Sequence, residues 1–303
     1  MQNILILLQQ LIQMMLYICI GYILCRTGLV NKDGSKALSS ILLYVVLPCV
    51  IVNSLLQERN AEQLTALGVS LLLAAVALGL SMLCAALIFP KRPIDNFSAS
   101  YSNAGFMGIP LVSAMLGTGA VRYVAGMVAL LNILQWTYGQ WLMTRDRKQI
   151  SLRACLTNPM VLAFLAGLFL FFTQIPLPGL VKNTITAISA CNAPLAMIVL
   201  GALLGQGKLS TFFTDKHAWI CVLVRLLLIP VVTLLVFLLV PERFAAIRLA
   251  VFLTACAPIG SNVSVYAQKA GLDAAYASRS VCLSTLLSVI TMPLMIGLAE
   301  WLW

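Results

Sequence analysis

Residues 102–110 read Ser102-Asn103-Ala104-Gly105-Phe106-Met107-Gly108-Ile109-Pro110, inside an apolar run that is otherwise long enough to cross a bilayer. An amide, two glycines and a proline in mid-run suit an unbroken helix poorly, and in hydrocarbon every released backbone N–H or C=O must find another partner. Such a break survives only where protein or a water-filled cavity surrounds it. A second stretch of like composition, Ala257-Pro258-Ile259-Gly260-Ser261-Asn262, interrupts another apolar run. Two interruptions in corresponding positions are the sequence pointer to a binding site at mid-membrane.

Working outward, 61% of the 303 residues are hydrophobic and 9% charged, against roughly 25% charged in soluble domains. The chain reads as an all-α integral membrane protein. Apolar runs on the scale of a crossing, about 20 residues, fall at approximately 4–25, 37–56, 63–89, 95–116, 119–143, 159–174, 180–205, 217–240, 244–266 and 274–299. These are ten segments, with the breaks in segments 4 and 9. The first run lacks a basic flank and a small-residue cleavage site, and is read as a first helix and not a signal peptide.

A net charge of +10 raises the possibility of nucleic acid, which needs Lys and Arg clustered on a folded polar face, and the chain offers none. The loops after the odd-numbered segments hold Arg26, Lys32, Lys36, Lys91, Arg92, Arg145, Arg147, Lys148, Arg153, Lys208, Lys216, Lys269 and Arg279. The opposite side holds Arg59, Arg122, Lys182, Arg243 and Arg248. By the positive-inside rule the first side is cytoplasmic and both termini lie outside. The nine cysteines include no C-x-x-C pair and mostly lie within segments, where they read as packing residues and not as metal ligands.

The basic loop from about Thr144 to Asn158 divides the segments five and five, giving halves 1–148 and 149–303. Since five is odd, homologous halves would be inverted repeats. The punctuation agrees: segment 2 carries Pro48 and Asn53 and segment 7 Asn192 and Pro194, just as segments 4 and 9 carry the breaks. Asn158-Pro159 reads as an N-cap followed by a first-turn proline. Gly201-x-x-x-Gly205 reads as close helix packing, at a subunit contact if the chain dimerises.

A helix broken at the midplane exposes N–H groups where one half starts and C=O groups where the other ends, roughly half a unit of charge each. The starts attract a carboxylate and the ends a cation or a proton-carrying group. Gly105 and Gly108 allow close approach and unusual φ, Pro110 and Pro258 remove donors, and Asn103, Ser261 and Asn262 offer polar groups to a ligand. All nine acidic residues sit at segment ends or in loops, which favours an anionic cargo over a carboxylate-driven cation pump. Arg225, inside segment 8, is expected to snorkel to the interface, with an anion contact in a cavity as the alternative. Lys269 is expected to complement a helix C-terminus, and His217 to sit at the interface. Asn132 and Gln135 in segment 5, and Ser284, Thr285, Ser288 and Thr291 in segment 10, either face the same cavity or bond between helices.

At Asn103 with Met107-Gly108-Ile109-Pro110-Leu111, and again at Ala257-Pro258 with Asn262, Asn158-Pro159, Pro194, and Ser284-Thr285-Leu286-Leu287-Ser288, the chain resembles the auxin efflux carrier family, which includes plant PIN carriers and bacterial transporters. The resemblance implies ten helices in two inverted five-helix repeats, a scaffold from segments 1, 2, 6 and 7, and a moving transport domain from segments 3–5 and 8–10. It implies an organic-anion substrate bound near the crossover and elevator-like alternating access. Asn103, Pro110 and Pro258 match the crossover positions, whereas Ser102 replaces a proline usual in plant carriers and the central loop is short, features of a prokaryotic carrier.

The expected protein is therefore a secondary transporter of a small carboxylate in the cytoplasmic membrane, not an enzyme. Its expected partners are the carboxylate, the lipid bilayer and a second copy docked through scaffold helices. It is expected to need no cofactor and no metal, with proton or sodium left open as coupling ion. The substrate-binding set is Asn103, Gly105, Gly108, Pro110, Pro258, Ser261 and Asn262, supported by Pro48, Asn53, Asn132, Asn192 and Pro194. A sodium-coupled symporter of bile-acid type and a ligand sensor without turnover are the alternatives.

Overall fold

Apolar runs of this length satisfy their own backbone groups only as helices, and the computed structural model contains no strand among the described residues. The structure describes residues 2–146, 153, 156–207 and 215–303, with side chains from residue 8 onward. Arg147, Lys148, Cys155 and Lys208, and the boundary expected after residue 148, lie outside the described residues. In chain order the helices are α1 (Gln2–Arg26), α2 (Lys32–Leu55), α3 (Ala61–Ile88), α4 (Pro93–Ser100), α5 (Ala104–Leu116), α6 (residues 122–144), α7 (Pro159–Thr173), α8 (Gly179–Gly205), α9 (Lys216–Phe237), α10 (Ala245–Ala255), α11 (Asn262–Lys269) and α12 (Ala274–Leu302). Among the described residues six helices, α1, α2, α3, α8, α9 and α12, are long and apolar enough to cross a membrane, and α5 and α7 are shorter apolar helices.

Short polar side chains start these helices by accepting the amides that no turn can satisfy. Asn31 accepts from the Gly34 N–H and Asn60 from that of Gln63, both at 2.8 Å. Asn158 accepts from Met160 at 2.9 Å, as its sequence context predicts, and Asp215 and Asp273 do the same for α9 and α12. Three prolines inside helices follow wider turns, whereas Pro293 sits in α12 without one. Wide turns at Leu42–Val46, Ala104–Gly108 and Val224–Leu228 stand two residues before Pro48, Pro110 and Pro230. A π turn suits the site because proline lacks its own N–H and crowds the carbonyl four residues back.

Two groups of helices follow from the packing. Helix α1 lies along α8, and α2 packs on α7 and the first half of α8; α3 packs on α4, α6, α9 and α10, while α12 packs on α9 and α11. The groups meet where α5 and α12 touch α1, where α5 touches α8 and where α6 touches α2 and α7. The α1–α8 approach is backbone to backbone. A Cβ on Gly201 would stand 2.8 Å from the Ile18 carbonyl carbon, one on Gly205 2.7 Å from Cys25 Cβ, and Gly21 is equally blocked by Ile198. The small-residue spacing is thus spent on packing inside the chain. On the other face of α1, Ile12, Leu16, Ile20 and Ile23 are exposed at helical spacing, an apolar stripe suited to lipid.

Gly201→Val forces the α1–α8 backbones apart and should cost about 3 kcal/mol or more. Thermal unfolding in detergent should show a loss of roughly 5 °C or more. A Cβ on Gly79 meets nothing within 4 Å, so Gly79→Ala should leave the melting temperature unchanged or slightly raised.

Candidate functional site

The first interruption unwinds only residues 101–103, and the second residues 256–261. The two unwound stretches face each other, with Ser102 and Ile259 paired as an isolated antiparallel bridge. The Asn103 N–H donates to the Pro258 carbonyl at 2.7 Å and the Gly260 N–H to the Tyr101 carbonyl at 3.0 Å. The Ile259 N–H donates to Ser284 Oγ on α12 at 3.1 Å. Each break thus supplies bonds the other has lost, which is what burial in hydrocarbon demands. Glycine allows the approach: a Cβ on Gly108 would meet Thr254 Cγ2 at 2.7 Å, and one on Gly260 the Ser102 carbonyl oxygen at 3.2 Å.

The carbonyl ends of α4 and α10 are held by one side chain. Arg225, 1% exposed, donates Nη1 to the Ala99 carbonyl at 3.1 Å, Nε and Nη2 to that of Ala257 at 3.2 and 3.1 Å, and Nη2 also to that of Ala255. The expected snorkelling of Arg225 to the interface is corrected here. A planar fork with five donors matches carbonyls converging from two helix ends, and their partial negative charge replaces the water that the guanidinium gives up.

The glycines do not serve as expected throughout. Residues 104–116 are helical, Gly108 has φ −63°, and Gly105 is not among the positive-φ glycines, so the anticipated unusual φ is absent at both. Pro110 lies in the first turns of α5 and not in the unwound stretch. Ser284, Thr285 and Ser288 are fully buried and bond to carbonyls of their own helix, with Ser288 also reaching Met107 Sδ at 3.9 Å. Ser284 and Ser288 thus join helices, while Thr285 bonds back to its own. Thr291 Oγ1 is buried without a hydrogen-bond partner.

Cavities open on both sides of the crossing, since α5 continues beside α10 and α11 beside α4. On the α5 side a cavity of about 300 Å³ is bordered by Pro110, Ser113, Asn53, Thr186 and Asn192. Thr186 Oγ1 donates to Asn53 Oδ1 at 3.2 Å, while the buried Asn192 Oδ1 has no partner. On the α11 side a cavity of about 370 Å³ is bordered by Asn132, Trp136, Asn158, Asn262 and Lys269. There Asn262 Nδ2 donates to Gln135 Oε1 and Asn158 Nδ2 to Asn132 Oδ1, both at 3.3 Å. Across α11 a cavity of about 270 Å³ is bordered by Ser261, Ser264, Gln206 and Arg279.

The expected residues are therefore distributed over a crossing and its flanking cavities. Asn103, 5% exposed with Nδ2 unpartnered, sits in the crossing with Pro258. Asn53, Pro110 and Asn192 share one cavity, Asn132 and Asn262 another, and Ser261 a third. Gly105 lies against Leu47, while Pro48 and Pro194 are half-buried in α2 and α8 and border none of these cavities. Lys269 ends α11 as expected, but its Nζ also lies 4.9 Å from the Trp136 ring centre. Asp95, 2% exposed in the first turn of α4, is hydrogen-bonded by Tyr276 and paired with Arg92 at 3.0 Å. Sequence reasoning did not find the α9 anchor, whereas the alternative of bonds between helices holds for Gln135 and Ser284.

A family model described as a membrane transport protein matches residues 6–296. An uncharacterized transporter of Methanothermobacter thermautotrophicus is 24% identical over 297 residues, covering 94% of this chain and 96% of that protein. A "putative malonate transporter" of Rhizobium meliloti is 25% identical over 292 residues, covering 90% of each.

Arg225→Met strips a charge and leaves carbonyls unpaired at two helix ends, a loss of about 3–5 kcal/mol for a buried ionic contact. The variant should be recovered in low yield or melt far below the parent in detergent. Arg225→Lys keeps the charge without the fork and should fall between them, whereas Ser284→Ala should cost about 1 kcal/mol.

Proposed function

Because the chain belongs to the membrane transport protein family, that of the auxin efflux carriers, we propose that it is a multi-pass secondary transporter moving a small carboxylate across the cytoplasmic membrane by alternating access. The observation that carries this reading is the charge at the crossing. Two carbonyl ends supply roughly half a negative unit each, and Arg225 bonds to both. That leaves the starts of α5 and α11, roughly half a positive unit each, uncompensated. The crossing is net positive by about one unit, which favours an anion. Malonate, named for the Rhizobium meliloti relative, is a carboxylate of this class.

Counting α4 with α5 and α10 with α11 as single crossings gives ten passes, with inverted repeats at 1–148 and 149–303 and both termini outside. Helices α1, α2, α7 and α8 form the scaffold, and α3–α6 with α9–α12 the transport domain. The packing supports this division, since the crossing's bonds to other helices, from Arg225, Ser284 and the Tyr101 hydroxyl to the Leu134 carbonyl, stay within the second group. Elevator-like sliding of that group would carry the crossing between sides without breaking them. Dimerisation through the scaffold uses lipid-facing surface, because the α1–α8 glycines are already packed.

A sodium-coupled symporter would place a cation among the carbonyl ends, where the Arg225 guanidinium already stands. Flux should therefore be unchanged when choline replaces sodium.

In sealed proteoliposomes, Asn103→Ala and Asn262→Ala should each lower carboxylate uptake at least tenfold, worth about 1.4 kcal/mol, with little change in melting temperature. Undiminished uptake in both variants would remove the crossing as the site. Carboxylate binding without any flux would favour the sensor.

A further inference from the structure

The two helix groups meet along a seam between α6 and α7, and side chains pin that seam near both ends. At one end Arg122 Nη1 donates to Gln57 Oε1 at 2.5 Å. Ten residues along α6, about 15 Å on a regular helix, Asn132 Oδ1 accepts from Asn158 Nδ2 at 3.3 Å. Between the pins the contact is apolar: a Cβ on Gly126 would stand 3.4 Å from the Phe164 ring.

Gln57 is held by α7 and not by the group that carries Arg122. Its carbonyl accepts from Gln174 Nε2 at 3.1 Å, and two residues on, Arg59 Nη1 donates to the Phe172 carbonyl at 2.8 Å. The loop after α2 is thus stitched to the end of α7. Arg122 is oriented from its own side, since Nη2 donates to the Tyr123 hydroxyl at 2.9 Å and the guanidinium carbon lies 4.7 Å from the centre of that ring. Each partner is fixed to a different group, and the bond between them is the joint. Its acceptor is a neutral amide, so opening it strands no carboxylate.

Resting on the elevator reading above, we infer that Arg122 and Gln57 form a latch that holds the two groups in the relative position of this structure and opens when they slide. Apolar contacts along a seam exchange like for like during sliding, whereas a directed bond has to break. Such a bond biases the equilibrium between two arrangements because it is made in one of them alone.

A thiol near the far end of α8 reports the opening. Cys282 on α12 is 5% exposed and borders the 270 Å³ cavity with Leu200 and Leu203 of α8, so a maleimide reaches it when α8 and α12 part. Cys221 on α9 and Cys256 at the end of α10 are buried within one group and report general loosening instead. The full-length protein in detergent is treated with N-ethylmaleimide and read cysteine by cysteine by mass spectrometry. Gln57→Ala and Arg122→Gln should each speed Cys282 alkylation about threefold or more, the range of a partly exposed charged hydrogen bond, with Cys221 and Cys256 unchanged. Gln57→Ala keeps the stitching to Gln174, which uses the backbone carbonyl. The double variant should match the faster single, because the same bond is lost in all three. An unchanged Cys282 rate in both singles, additive effects in the double, or equal acceleration at all three cysteines would overturn the latch and leave the transport reading in place. The readout needs no substrate, so a parent protein that takes up no malonate or other small carboxylate in proteoliposomes would overturn the transport reading without altering this comparison.

Discussion

A backbone carbonyl released from its helix inside hydrocarbon must be paired again or cost several kcal/mol, and this chain releases such groups at two places. Neither break is sustainable alone. The bridge between Ser102 and Ile259 gives each the other as partner, and Arg225 closes the remainder by drawing Ala99, Ala255 and Ala257 onto one guanidinium. Everything distinctive about the middle of the molecule depends on that exchange, including the close packing at Gly108 and Gly260 and the burial of an arginine deep in α9.

Under the elevator proposed above, the anchors of the crossing would also decide what moves with it. Arg225 ties it to α9, Ser284 to α12 and the Tyr101 hydroxyl to α6. Toward α2 and α8, by contrast, it is bordered by a cavity whose wall mixes amides and hydroxyls with apolar side chains such as Val50 and Ile109, and the packing there includes the ordinary contacts of Gly105 with Leu47. Bonds that must be kept lie on one side, and contacts that can be exchanged on the other. An elevator needs that asymmetry, and a rigid channel does not.

The helices were legible in the sequence because apolar runs and their caps act locally: Asn158 before Pro159 needs no tertiary information to be recognised. That both runs are broken was legible from their composition. Their extent was not. Gly105 and Gly108 looked unwound, yet they lie in a π turn, with Pro110 at the start of the α-helix that follows it, because a wider turn makes room for the proline ring and its missing N–H. Arg225 was misjudged for another reason. Snorkelling depends on what faces the side chain, and the acceptors that bury it come from residues 126 and about 30 positions away. Pairings at that separation leave no periodic trace in the chain.

The two openings of the crossing are alike in helix geometry and unlike in charge. On the α5 side the cavity is bordered by neutral groups such as Asn53, Ser113 and Asn192, while on the α11 side Lys269 and Arg279 stand at the walls. Under the carboxylate reading proposed above, an anion at the crossing would meet the same net-positive centre from either direction but leave through different surroundings. Toward α11 the Lys269 ammonium would hold it back, more so at low salt, since exposed charges are screened over roughly 10 Å at 0.1 M, while Arg279 is paired with Asp273 at 3.8 Å. Toward α5 only hydrogen bonds do so. Binding on the two faces of one crossing is therefore unequal even though the pair of broken helices that creates it is nearly symmetric, and the inequality is carried by side chains on the cavity walls.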